Sequence, residues 1–266
     1  MSIKKAVLTM LEKNRERYIS GQEFAETLDV SRTAVWKAVR ALREEGHVVG
    51  AANNRGYRLD SDLLSAEGVR AALPAGYQSC PVSVLSVTDS TNTQAKKLAA
   101  DGARHGTLLL AEEQTAGRGR SGKRFFSPRG LGLYMSVILR PDAATVSPRL
   151  VTLAAAVSVC RAVEALTGLE PRIKWVNDVY LDGKKICGIL TEAVMDMESG
   201  GIDSIIVGVG VNCAVEEAIL PPELHGIVGS IGAGKVPRCR LAALIAVGVL
   251  EAFANLSDPD ILGAYR

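Results

Sequence analysis

Three things are missing from this 266-residue chain, and each absence narrows what it can be. No apolar run approaches the ~20 residues of a membrane span: the longest, residues 150–160, falls well short, and the N-terminus reaches Glu12 before a signal-like core can form. Paired cysteines are missing too, since Cys80, Cys160, Cys187, Cys213 and Cys239 are odd in number and far apart, with no C-x-x-C spacing; neither a disulfide framework nor a zinc site is suggested. Net charge is nearly absent, with 31 Lys plus Arg against 29 Asp plus Glu, so the total says nothing about partners. What is present is ordinary globular composition, 47% apolar and 23% charged, and enough length for one large domain or one large and one small. The expectation is a cytoplasmic protein with reduced, mostly buried thiols and no membrane partner.

Mapped along the chain, the charge is uneven: residues 1–60 hold 11 Lys/Arg and 8 Asp/Glu, the remainder 20 and 21. Ile3, Ala6, Val7, Met10 and Leu11 recur at helical spacing, Ser20 with Glu23 reads as a capping box, and Ser31 caps a third helix striped by Ala34, Val35, Ala38, Val39 and Leu42 and stopped by Gly46. Three short helices with a tight turn at Asp29-Val30 predict a helix-turn-helix. The opposite face of the third helix carries Arg32, Thr33, Trp36, Lys37, Arg40 and Arg43, cations for phosphates and planar donors for base edges. Strands at His47-Val48-Val49 and Tyr57-Arg58-Leu59, joined through a Gly/Asn-rich turn with Arg55, predict a wing. A solvated basic helix on an interaction module is the alternative.

Beyond about residue 62 helices and strands alternate. Strands are predicted near residues 82–87, 107–111, 133–139, 173–175, 179–181, 185–194 and 204–211, and helices near 66–73, 92–100, 147–166 and 241–256. Hairpins among interspersed helices favour an α+β domain with a mixed sheet.

Four clusters carry chemistry. Residues 114–129 hold no acid, and their centre, Gly117-Arg118-Gly119-Arg120-Ser121-Gly122-Lys123-Arg124, offers backbone N–H groups and guanidinium forks to an anion. It matches neither a P-loop nor a dinucleotide fingerprint, and by itself also fits a basic surface loop; Phe125 and Phe126 behind it supply a stacking face. Lys174-Trp-Val-Asn177-Asp178 with Lys184 and Lys185 past a Gly183 turn presents point charges, or simply a solvated hairpin. Thr88-Asp-Ser90-Thr91-Asn92 is rich in short hydrogen-bonding side chains that equally suit helix capping, and Gly208-x-Gly210-x-Asn212 ends a strand where a nucleotide backbone can approach. No nucleophile–base pair emerges, because His47, His105 and His225 lie outside all four.

Taken in order, Ser90-Thr-Asn92, Gln114-Thr-Ala-Gly-Arg-Gly-Arg120, Phe126-Ser-Pro128, Lys174-Trp-x-Asn-Asp178, Gly183-Lys-Lys-x-x-Gly-Ile-Leu190 and Gly208-x-Gly-x-Asn212 closely resemble the bacterial biotin protein ligases, and the preceding winged helix resembles their bifunctional ligase and biotin operon repressor form. The resemblance implies a winged helix over residues 1–62, a catalytic domain of the biotin/lipoate ligase type over 63–266, and two-step chemistry. Biotin attacks the α-phosphate of Mg2+-ATP to give biotinyl-5'-AMP, and a lysine of the biotin carboxyl carrier protein of acetyl-CoA carboxylase then takes the biotinyl group. By motif position, Ser90, Thr91, Asn92 and Gln114 hold biotin, bordered by Arg118 and Gly119. Arg120 closes over the adenylate, and Lys185 contacts the biotin carboxylate and the α-phosphate; these two are the catalytic candidates. Gly117, Phe125, Asn177, Asp178 and Asn212 lie towards the nucleotide, and no resident metal ligands are expected. Ser31, Arg32, Thr33, Trp36, Lys37, Arg40, Arg43 and Arg55 are the expected DNA contacts of an operator-binding homodimer favoured by the adenylate.

Two departures are visible: Val176 where the family usually has Pro, and Phe125 where many members have Trp. Relatives also continue past a Tyr-Arg like Tyr265-Arg266 into a small β-rich module, so the SH3-like C-terminal domain is expected to be absent. The alternatives are a biotin-responsive regulator without ligase activity and a lipoate-type ligase.

Overall fold

The computed structural model describes residues 2–141, 147–196, 200–232 and 236–256. Tyr265 and Arg266 fall outside these residues.

The N-terminal module is built as its caps dictate. Helices α1 (Ile3–Lys13), α2 (Gly21–Leu28) and α3 (Arg32–Glu44) each begin at a serine, Ser2, Ser20 and Ser31, whose side chain accepts a hydrogen bond from the backbone N–H three residues on. Asp29 takes a left-handed conformation, φ 50°, and turns the chain between α2 and α3. Strands β1 (Val49–Ala52) and β2 (Gly56–Leu59) pair antiparallel as the wing. The expected first strand is shifted: His47 N–H still donates to Leu42 O at 3.0 Å on leaving α3, so the ladder starts only at Val49. Ile19 bridges Tyr57 and widens the wing, an edge no periodicity signals. Val7, Leu11, Ile19, Phe24, Val35, Val39 and Leu42 form a separate core, each fully buried side chain contributing about 1.5–3 kcal/mol.

The larger part is a seven-stranded mixed sheet with helices on both faces. After α4 (Ala66–Ala72) come β3 (Val82–Leu85), α5 (Thr91–Ala100), β4 (Thr107–Ala111), β5 (Gly132–Leu139), α6 (Pro148–Thr167), β6 (Arg172–Lys174), β7 (Asp178–Leu181), β8 (Lys184–Met195), β9 (Ile202–Asn212) and α7 (Arg238–Ala254). The strand order is β3-β4-β5-β9-β8-β7-β6, with only β3 and β4 parallel. Every residue of β4 and β5 is buried, which explains their unbroken apolar sequences: helices cover both faces. The main core joins α4, α6 and α7 to one face, while Ala95 and Ala99 of α5 pack with Leu109, Ile138 and Ile206 on the other. Helix α6 is long and apolar enough by length and composition to cross a membrane, beyond what the apolar run suggested; 61% of its most apolar stretch is buried inside the fold. Lys174 ends β6, so Trp175, expected in the strand, lies outside it.

One buried ion cluster joins the two parts. Arg238 at the start of α7, 3% exposed, meets Asp62 of the connecting segment through Nε at 3.1 Å and Glu112 after β4 through Nη1 at 2.9 Å, and it also donates to Gly132 O. Glu112 in turn accepts from Leu64 N–H at 2.6 Å. The five cysteines are unpaired; burial pushes Cys160 up to about 11 and Cys213 and Cys239 up to about 12, so these thiols stay protonated at neutral pH.

Candidate active site and nucleic-acid interface

A cavity of about 640 Å³ opens between the start of α5, the 118–126 loop, strands β7 to β9 and the 220–228 segment. It is lined by Ser90, Thr91, Asn92, Gln114, Arg118, Gly119, Arg120, Phe125, Asn177, Asp178, Lys185 and Asn212, so residues up to 122 positions apart in sequence meet around one space.

At one end the short polar side chains are tied together. Asp89 Oδ1, just before α5, accepts from Ser90 N–H at 2.7 Å and Gln94 Nε2 at 2.7 Å, the Gln94 bond first among the causes that hold its carboxyl below the usual range. Ser90 makes no capping bond although 2% exposed, which removes capping as the explanation of its hydroxyl. Gln114 Oε1 accepts from both Thr91 N–H (2.8 Å) and Thr91 Oγ1 (3.1 Å), and Gln114 Nε2 donates to Ser127 Oγ at 2.9 Å. Asn92 is 3% exposed; Ser136 Oγ donates to its Oδ1 at 2.7 Å, and its Nδ2 donates to Leu190 O and Glu192 Oε2.

The other end is charged. Lys185 Nζ lies 2.7 Å from Asp178 Oδ1, an ion pair without hydrogen-bond alignment. Arg120 Nη1 donates to Asn177 Oδ1 at 3.1 Å, and Asn177 Nδ2 to Ile189 O at 3.1 Å, which carries the loop across to the β8 side. Asn212, 4% exposed, faces Lys185 O at 3.5 Å.

Some expectations shift. Gly117 does not line the cavity: a Cβ there would meet Phe125 O at 2.4 Å and Ser127 Oγ at 2.6 Å, so the glycine lets the loop fold on itself. Gly208 and Gly210 leave room for the protein's own side chains, since a Cβ would meet the Asn92 carboxamide at 2.2 Å and the Phe125 ring at 2.6 Å. Phe125 lies edge-on to Tyr134, ring centroids 6.4 Å apart, as an apolar wall between the two ends. Sequence reasoning missed the 220–228 wall with Leu220, Leu224 and Ile227, and Glu192, which stands behind the lining and contacts Asn92 and Arg118; no spacing rule marks an irregular segment as facing a site or a strand acid as backing one.

On the N-terminal module, Arg32, Thr33, Trp36, Lys37 and Arg40 stand exposed on one side of α3, with Trp36 52% exposed. Ser31 is used by its cap, and Arg40 pairs with Glu44 at 2.9 Å. Arg43 differs from expectation: its Nε and Nη2 both donate to Val49 O, at 3.0 and 2.6 Å, joining α3 to the wing. Arg55 at the wing tip stacks on Tyr18, 4.8 Å from the ring centroid, beside Arg58 on the same ring.

Residues 84–212 match the Biotin/lipoate A/B protein ligase family, and residues 4–58 match an HTH domain. The chain is 38% identical to the bifunctional ligase/repressor BirA of Bacillus spizizenii over 86% of its own length and 71% of the relative's. It is 34% identical to that of Escherichia coli over 92% and 75%. Among solved structures, biotin protein ligase from Aquifex aeolicus in complex with biotin and ATP aligns with a TM-score of 0.56 at 30% identity, covering 65% of this chain and 70% of that one. With the ordered motifs gathered round one cavity and a helix-turn-helix before them, the chain belongs to the biotin protein ligases, among the bifunctional ligase/repressors.

Proposed function

We propose that the chain joins biotin to ATP, giving biotinyl-5'-AMP and pyrophosphate, transfers the biotinyl group to a lysine of a biotin carboxyl carrier protein, and represses biotin genes through its winged helix. The observation that carries the catalytic part is the polarity of this cavity, with the hydrogen-bonding side chains of Ser90, Thr91, Asn92 and Gln114 at one end and Lys185, Asp178, Asn177 and Arg120 at the other. A ureido ring with two N–H donors and a carbonyl suits the first end, a carboxylate meeting a phosphate the second. A dithiolane ring offers no such donors, so a lipoate substrate would leave Asn92 and Gln114 without ligand partners.

In the first step a biotin carboxylate oxygen forms a bond to the α-phosphorus, and the bond to the pyrophosphate oxygen breaks. Both reactants are anions, so the protein's contribution is to bring them together and offset their repulsion. Lys185 is placed for this, its ammonium charge shared with Asp178 until phosphate oxygens arrive. In the second step the carrier amine adds to the biotinyl carbonyl carbon, the carbon–oxygen bond to AMP breaks, and an amide forms with loss of the amine proton. Lys185 and Arg120 then bear on the departing phosphate, chemistry that needs no protein nucleophile and no histidine, and no histidine is among the lining residues.

Among the described residues no three His, Cys, Asp or Glu side chains converge as a metal cage. The buried Asp178 Oδ1, without a hydrogen bond, fits the single carboxylate that Mg2+ needs when substrate phosphates supply other ligands; Mg2+ would neutralise phosphate charge there.

The exposed face of α3 with Trp36 and Lys37 supports DNA binding, with a homodimer placing two such helices on operator half-sites. The deciding experiment is biotin-dependent ATP–pyrophosphate exchange with lipoate as competitor, followed by transfer to a carrier domain. Exchange and transfer with biotin alone are expected; no exchange at saturating biotin and ATP would leave only a regulator.

A further inference from the structure

Glu192 on β8 bears no part in the sequence motifs, yet three side chains from two other elements converge on its carboxylate. Oε2 accepts from Asn92 Nδ2 at 2.9 Å, and Oε1 lies 2.6 Å from Lys96 Nζ on α5 and 3.2 Å from Arg118 Nη2 in the glycine–arginine loop. The carboxylate is largely covered, with side-chain exposure of 16%.

The hydrogen-bond inventory of Asn92 follows from this. Leu190 O and the Glu192 carboxylate can only accept, so both must face the Nδ2 hydrogens, and Oδ1 is turned toward Ser136 Oγ and the cavity-lining Gly208. Oδ1 keeps a second lone pair, which a ligand N–H can use. Were the carboxamide reversed, its oxygen would confront two acceptors and its NH2 would leave the Ser136 hydroxyl without an acceptor on Asn92. The same carboxylate draws Arg118 to the Asn92 side of the cavity and offsets the repulsion between Arg118 and Lys96, charge-assisted contacts that are stronger than neutral ones.

We propose that Glu192 is a positioning residue, one that fixes the Asn92 carboxamide as an acceptor for a biotin N–H and anchors Arg118 so that the loop keeps the adenylate in place. It acts through these two side chains rather than on the reacting atoms. The inference rests on the biotin ligase reading above, and it divides Glu192 into two separable functions: a hydrogen-bond acceptor for Asn92 and a negative charge for Arg118.

Two variants separate them. In the full chain, Glu192→Leu removes both functions, and biotin KM in ATP–pyrophosphate exchange is expected to rise about 10-fold or more, the size of one lost charge-assisted bond. The exchange kcat and the KM for ATP are expected to stay within about threefold, and biotinyl-5'-AMP to leave the enzyme faster. Glu192→Gln keeps an oxygen for Asn92, so biotin KM is expected to return to within about threefold of the parent while adenylate release stays fast. A merely structural role would lower the thermal midpoint and the active fraction without this split. Unchanged biotin KM and release in both variants, or equal losses in kcat and in both KM values, would overturn the proposal. A parent chain without exchange would refute the ligase reading instead; calorimetric biotin binding to the same three proteins then still tests Glu192, and equal affinities would overturn its role.

Discussion

Lys185 and Asp178 face each other across the β7–β8 hairpin, Nζ to Oδ1 2.7 Å, beside the register shift between Val179 and Tyr180. A strictly regular ladder alternates its side chains; the irregularity sits where the cation and the carboxylate meet at the cavity. Lys185→Ala is therefore expected to lower ligation by at least ~10²-fold with the fold retained, as for loss of one electrostatic stabiliser. Circular dichroism and carrier biotinylation check this, and near-normal turnover would remove Lys185 from the mechanism.

Gly208 is set by the carboxamide it faces. A methyl at this position would lie 2.2 Å from Asn92 Oδ1, closer than any real contact, and Asn92 is held on its other sides. Gly208→Ala is expected to raise biotin KM about 10-fold or more while leaving the KM for ATP close to the parent value, since one buried hydrogen-bonding group is displaced. Steady-state exchange kinetics measure both.

Arg238 has the highest stakes for stability. It is buried between Asp62 and Glu112, and removing its charge leaves two carboxylates without their cation. Arg238→Met is expected to cost about 3–5 kcal/mol in urea unfolding, in line with removal of one member of a buried ion pair. Because Asp62 belongs to the segment that connects the winged helix, the variant is also expected to make that segment more susceptible to proteolysis. A change below 1 kcal/mol, ~1 being an ordinary mutational effect, would show that the cluster stabilises little.

The pH dependence follows from Glu192. Burial raises its pKa, but hydrogen bonds from Lys96 and Asn92 and the charges of Lys96 and Arg118 outweigh burial, and it lies below the usual 4.5. A depressed carboxyl contributes fully above that usual value and loses its contribution as pH falls through the lower, folded one. The Glu192 contribution to adenylate retention, which depends on its charge, is accordingly expected to be flat from neutral pH down to about 4.5, the usual carboxylate value, and to decline below it; Glu192→Gln is expected to lack that component. Rates of biotinyl-5'-AMP release from the two proteins across this range supply the comparison.

On the DNA side, Trp36→Ala and Lys37→Ala are expected to weaken operator binding while exchange activity stays at the parent level, because α3 lies outside the cavity. Loss of Lys37 is expected to lower the salt dependence of binding by about one counterion. Arg43→Ala is expected instead to lower stability of the winged helix, as its guanidinium holds Val49 O. Electrophoretic shifts at several salt concentrations and thermal melts distinguish the two effects.

Local chemistry in the sequence determined the helix caps at Ser20 and Ser31, the apolar runs of β4 and β5, and the groups of polar residues around Asn92, Arg118 and Lys185, because capping, periodicity and charge act over a few residues. It also carried the family resemblance, since the motifs are short and ordered. Only the tertiary structure decided which residues share the cavity and which stand behind it, for β9 brings Gly208 and β8 brings Glu192 to Asn92 from 100 or more positions away. It showed that Gly117 serves the loop, that Arg43 holds the wing strand and that a strand acid accepts from the Asn92 carboxamide, none of which has a local signal. The physical reason is that a hydrogen bond or an ion pair depends on where chains meet in space, and sheet pairing, unlike helix periodicity, is set by contacts distant in sequence.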